Sequence, residues 1–309
     1  NTTITTGHVY FVETGGGAAG ILSSPAPIVG GLTWQPQLVK VVADDTKYST
    51  LVRTNELFPH QTCCILIANE SFTSANPEVT ERVVWAIVKA TDWINQAKAA
   101  GAKDPKDPSY VQLLNIARSV SGAIYNTSDN EGDLRDVGLA LADIEYDWGN
   151  VTSTGAPDYN SATPLGKLKA DVALQTDDLI KIGTIKNQVA DLGFKNSAEF
   201  ADAFVNDTYL KNVLKNGITK VPSYKDKADA RFILISGDLH QLPVHVADAI
   251  LTGETSSYYS QVGINFEKVW VGLGNAVLAG LIANEADFGV SGQPTIIADN
   301  VNNKRTVKE

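Results

Sequence analysis

The densest polar chemistry in the chain lies in the stretch SGDLHQLP (236–243), directly after the short apolar run Phe232 to Ile235. Two further loops of the same kind follow, Gly272–Leu273–Gly274–Asn275 and Ser291–Gly292–Gln293. Glycine lets a ligand approach the backbone, and Asp, Gln, Asn and Ser supply orienting hydrogen bonds. The candidate ligand-binding residues are therefore Asp238, His240, Gln241, Asn275, Ser291 and Gln293. Thr14, beside Gly15 and Gly16, faces them in this reading, with Trp34 as a stacking wall. Each also has a plainer role: Asp238 as a helix cap, Trp34 as core, the two glutamines as solvated side chains.

Metal and covalent chemistry find less support. His240 and His245 are five positions apart, so on a helix they diverge by more than about 100° and do not form a one-face metal pair. No metal and no cofactor are expected. Cys63 and Cys64 are adjacent. Neighbours on a strand point to opposite faces, which reads as two buried thiols, and no CxxC partner suggests otherwise. A hydrolase needs a nucleophile supported by a His and a carboxylate, and Asp238 with His240 alone does not complete that set. No GxSxG elbow or phosphate-loop lysine occurs, so the expectation is that the protein is not an enzyme.

The elements that would position these loops read as an α/β pattern. HVYFV (8–12), VKVVAD (39–44) and CCILIAN (63–69) look like strands, and ETGGGAAGILSS (13–24) like a glycine loop entering a short helix. SANPEVTERVVWAIVKATDWINQAKAAG is the clearest helix, with Pro77 at its first position, Glu78 in its first turn and Gly101 at its end. Its Val79, Val83, Ile87, Ala90, Ile94 and Ala97 form one apolar face. From about 109 to 217 the pattern is helical, and 218–231 is a charged, proline-bearing linker. A strand–loop–helix series then runs to the carboxyl end, and in α/β folds such loops meet at a crevice.

Composition limits the partners. With 43% apolar and 19% charged residues the chain is globular, and its net charge of -10 argues against nucleic acid. The absence of Met among 309 residues suggests a processed chain, a fragment or an edited sequence. Five Asn-x-Ser/Thr sequons, at Asn1, Asn69, Asn126, Asn150 and Asn206, suggest a surface or secreted location.

Several stretches together resemble a known family, the solute-binding proteins of ABC importers for nitrate, sulfonates, taurine and thiamine-pyrimidine precursors. They are YYSQVGINFEKVWVG, LIANEADFGVSGQP, GGLTWQP (30–36) and ELFPHQTCCILIANESFTSANPEVTERVVWAIVKATDWIN (56–95). The resemblance implies an α/β, two-lobed, type II periplasmic-binding-protein-like fold. Residues 66–309 would form the larger lobe, comprising a helical part (76–217), the linker (218–231) and the strand–loop–helix series (232–309). Residues 1–65 would supply smaller-lobe segments and hinge strands. The family order places 231–309 first, so the chain looks circularly permuted or fragmentary, with an incomplete second lobe and both termini in that lobe.

The function implied is extracytoplasmic capture of a small polar solute (a sulfonate, another anion or a heterocycle) between the lobes. The solute would pass to the membrane subunits of an ABC importer. Two alternatives stand beside it. One is an enzyme like the thiamine-pyrimidine synthases the family resembles, whose cysteine-rich motif and iron-linked His are not reproduced by Cys63–Cys64. The other is a structural cell-surface module.

Overall fold

The structure, a computed structural model, describes residues 17–23, 30–44, 48–57, 62–125, 128–148, 166–303 and 307–308. It is a mixed α/β fold. Its strands are β1 (Cys64–Asn69), β2 (Ala228–Ile235), β3 (Ile264–Val271), β4 (Phe288–Gly292) and the two-residue β5 (Val307–Lys308). They form one sheet in the order β3-β2-β4-β1-β5. β2 runs parallel to β3, from Ala228 opposite Ile264 to Ile235 opposite Val271, and parallel to β4 at Phe232 and Ile233. β1 is antiparallel to β4, with Cys64 opposite Gly292, and to β5. The carboxyl ends of β2, β3 and β4 and the amino end of β1 consequently lie on one edge.

The helices, in chain order, are α1 (Gly17–Leu22), α2 (Gln37–Asp44), α3 (Thr54–Leu57), α4 (Glu70–Ala75), α5 (Pro77–Gly101), α6 (Pro108–Ser121) and α7 (Asn130–Ala142). They continue as α8 (Gly166–Lys181), α9 (Ser197–Phe204), α10 (Thr208–Asn216), α11 (Leu242–Asp248), α12 (Tyr258–Gln261), α13 (Gly274–Ile282) and α14 (Gln293–Asn303).

Alternation along the strands feeds two cores. Phe232, Leu234, Phe288 and Val290 pack with Val83, Trp85, Ile94 and Leu113 of α5 and α6 and with Val246 of α11. Ile233, Ile65 and Ile67 point the other way, to Val172 of α8, Phe200 of α9, Leu281 of α13 and Ile297 of α14. A sheet covered on both faces needs near-continuous apolar strands, which explains the run FILI in β2. α5 crosses α6 at Gly101, where a Cβ would lie 2.2 Å from the Tyr110 ring. The buried Arg82 of α5 donates from Nη1 to the carbonyls of Val262 (3.0 Å) and Asp226 (3.2 Å), tying the helix to two loops.

Some local expectations change. VKVVAD, expected as a strand, is the body of α2, whose Leu38 N–H donates to the Trp34 carbonyl at 2.9 Å. Val39 there joins the first core, and Val41 packs with Ile21 of α1. A short apolar run does not distinguish strand from helix by pattern alone, and here helix packing decides. β2 begins at Ala228, inside the segment expected as linker. The expected strand at 8–12 and both termini lie outside the described residues.

Candidate active site

β2 ends at Ile235 and the chain turns through Gly237, whose φ of 76° is in the left-handed region that favours glycine. Asp238 then caps a short 3₁₀ turn, accepting from the His240 backbone N–H at 2.9 Å. The same carboxylate oxygen lies 2.7 Å from His240 Nδ1, which fixes the imidazole ring. Gln241 folds back on the strand, its Oε1 accepting from Ile235 N–H at 3.1 Å and its Nε2 donating to the Ile235 carbonyl. From the α7–α8 connection, Tyr146 donates its hydroxyl to the Leu239 carbonyl at 2.8 Å. The turn is held from both sides.

Because β1 is antiparallel, its first residues arrive at this same edge. The Gln293 N–H donates to the Cys63 carbonyl at 2.8 Å and pins the entry. Cys63 Sγ and Cys64 Sγ are 3.7 Å apart, and both cysteines are free. Cys63 precedes β1, so strand alternation does not separate the two side chains. The expectation of two buried thiols does not hold: Cys63 is exposed and Cys64 half-buried. One oxygen of Asp238, one ring nitrogen of His240 and Cys64 Sγ lie within 4.8 Å of one another.

The electrostatics follow from these contacts. The hydrogen bond with Cys64 draws the Cys63 thiol down to about 6, and the charge of His240 adds to this against burial and Asp238. The same contact and burial push Cys64 well up. Burial disfavours charge on His240, but the hydrogen bond and charge of Asp238 outweigh it and lift the ring to about 9. Burial pushes the Tyr146 phenol well up, so it remains a neutral donor. The group is thus a thiolate beside an imidazolium oriented by a carboxylate, an arrangement suited to nucleophilic attack with proton transfer.

The thiols and His240 open into a cavity of about 930 Å³, whose wall also includes Trp34, Gln241 and Tyr146. Trp34 stands half-exposed at its mouth. Among the other residues expected at a ligand site, Asp238 sits behind His240 and holds it. Asn275 stands exposed on the first turn of α13 and does not line the cavity. Ser291 is buried and donates to the Gly274 carbonyl at 3.2 Å. Gln293 is fully buried, also away from the cavity. Thr14 lies outside the described residues. His245 does not line the cavity, and its ring is stacked on Trp270 at 5.3 Å. Sequence reasoning missed Cys63, Cys64 and Tyr146 as site residues; adjacent cysteines at the head of a strand were the available signal.

This geometry can be set beside known proteins. A curated relative, the 4-amino-5-hydroxymethyl-2-methylpyrimidine phosphate synthase of Aspergillus parasiticus, is 26% identical over 156 residues, covering 45% of this chain. The chain spans about half the length of that relative (46%). That relative is an enzyme. No family model and no solved structure matches the chain. The expectation that the protein is not an enzyme is corrected by this similarity. The sequence-level reason for it also fails, because a thiol pair joins Asp238 and His240 only once β1 is placed in the sheet.

Proposed function

We propose that the protein is a thiol-dependent enzyme on a scaffold similar to that of the thiamine-pyrimidine synthases, acting on a small molecule enclosed in the cavity. The observation that carries this reading is that Cys63, Cys64 and His240 line one cavity, with Cys64 clustered with His240 and with the Asp238 that lies behind it. The Cys63 thiolate attacks an electrophilic centre of the substrate, the protonated His240 gives a proton to the atom that gains the charge, and Asp238 keeps the ring oriented. Tyr146 and Gln241 position the turn. Cys64, Asp238 and His240 also offer a thiolate, a carboxylate and an imidazole that would suit a borderline divalent ion. Bound there, it would supply Lewis-acid or redox chemistry.

A second reading keeps the family's transport role: a two-lobed, extracytoplasmic binding protein that delivers a solute to ABC importer subunits. It is supported by a large cavity at the carboxyl ends of parallel strands. Incubating the purified chain with a small-molecule extract, followed by mass spectrometry, separates the two. Catalytic consumption of a compound, lowered about 100-fold or more in Cys63→Ser and in His240→Ala, is expected. Undiminished turnover in Cys63→Ser would sink the enzyme reading, and stoichiometric capture without turnover would replace it with the transport reading.

A further inference from the structure

Many polar side chains on the cavity wall spend their hydrogen bonds inside the protein, whereas the buried Thr33 Oγ1 and Gln35 Oε1 do not, and Asp143, Glu145 and Asp147 add carboxylates to the wall. The hydroxyls of Thr73, Thr80 and Thr91 donate to the Glu70, Asn76 and Ile87 carbonyls of their own helical segments, at 3.2, 2.9 and 2.9 Å. Tyr209 donates to the Thr73 carbonyl at 3.0 Å, and Thr62 Oγ1 to Asp171 at 2.8 Å. Gln241 and Tyr146 are engaged with Ile235 and Leu239. Between these groups the wall is aliphatic and aromatic, with Leu66, Val84, Ile87, Val88, Phe288 and Val290.

Positive charge on the wall is equally committed. Among the described lining residues the cationic side chains are Arg53, paired with Asp143 at 3.3 Å and Glu56 at 3.7 Å, and His240, bonded to Asp238. A phosphate dianion placed here would lose its hydration without a matching set of donors, a large cost in an apolar enclosure. A neutral body has no charge to strip of water on entering, and its apolar surface gains from burial.

We infer that the ligand of this cavity is an uncharged molecule without a phosphate group, presenting a polar or reactive end to Cys63 and His240. The inference rests on the reading of this cavity as the active site, and it departs from the phosphorylated compound in the relative's name. A binding measurement tests it separately from turnover. The full chain, as wild type and as Cys63→Ser, is titrated with the neutral fluorophore N-phenyl-1-naphthylamine. The bound dye is then displaced with 4-amino-5-hydroxymethyl-2-methylpyrimidine, with its phosphate ester and with inorganic phosphate.

The expected result is saturable dye binding in both proteins, with the alcohol displacing dye at least about tenfold more effectively than the ester. Trp34→Ala, at the mouth, should weaken dye binding several-fold while the protein stays folded. No dye binding, dye binding unaffected by Trp34→Ala, or an ester that competes as well as the alcohol would overturn the inference. None of these outcomes depends on whether Cys63 is catalytic, which the turnover comparison reads independently.

Discussion

Cys63 owes its acidity to its neighbour before anything else: the hydrogen bond with Cys64 is the largest influence, ahead of burial and of the His240 charge. An ordinary thiol titrates near about 8.5, so at neutral pH Cys63 is mostly thiolate where a free cysteine is mostly protonated. Alkylation follows the thiolate fraction. In chelator-treated protein, iodoacetamide labelling of Cys63, followed by peptide mass spectrometry, should rise with pH through a midpoint of about 6 and level off above it. Cys64→Ala should move that midpoint upward. A midpoint near that of a free thiol in the unmutated chain would show that the pair does not interact in this way. Cys64 itself, pushed well up, should label far more slowly at neutral pH.

At the scale of elements, α11 is fastened to the edge strand β3 by the stack of His245 on Trp270, with planes 9° apart. Burial, with help from Lys268, lowers His245 to about 4 from an ordinary value of 6.5. The sign follows directly. Above 6.5 the ring is neutral in both folded and unfolded chains and its contribution is complete. As pH falls from 6.5 to about 4 the unfolded chain takes up a proton that the folded chain refuses. Stability therefore declines across that window by up to about 3 kcal/mol and levels off below it. His245→Phe keeps an aromatic ring against Trp270 and removes the proton. Urea unfolding at pH 7 and pH 4.5 should show a smaller acid-induced loss in the variant; an equal loss would mean His245 is not the sensor.

For the whole molecule, Phe232 lies where the sheet meets its largest helical layer. It is fully buried and stacks on Phe288 at 5.1 Å and 22°, with Phe266 at 5.1 Å and Tyr259 at 5.8 Å. Phe232→Ala should cost about 3–5 kcal/mol, because closely packed rings do not close over the space left behind. Phe288 also lines the cavity, so the change should weaken ligand binding along with stability. Thermal unfolding read by circular dichroism, together with dye titration, would show this. A loss below about 1 kcal/mol would mean that the aromatic cluster is not a structural hub.

Local patterns foretold the parts that depend on neighbours in the chain. The long helix α5 was legible from its 3.6-residue periodicity, Pro77 and Glu78, and the units β2–loop–α11, β3–α13 and β4–α14 from apolar runs followed by glycine loops. His240 and Gln241 could be singled out for the same reason, since a polar loop after a strand is a local feature. Other outcomes were decided only by long-range packing. The helical state of α2 depends on its packing against the first core, and the inward turn of Ser291 on its bond to Gly274. Above all, Cys63 and Cys64 meet Asp238 and His240 because β1 enters the sheet antiparallel to β4. Strand direction and neighbour order are set by the burial of both sheet faces across the whole fold, and no short window of sequence carries that information.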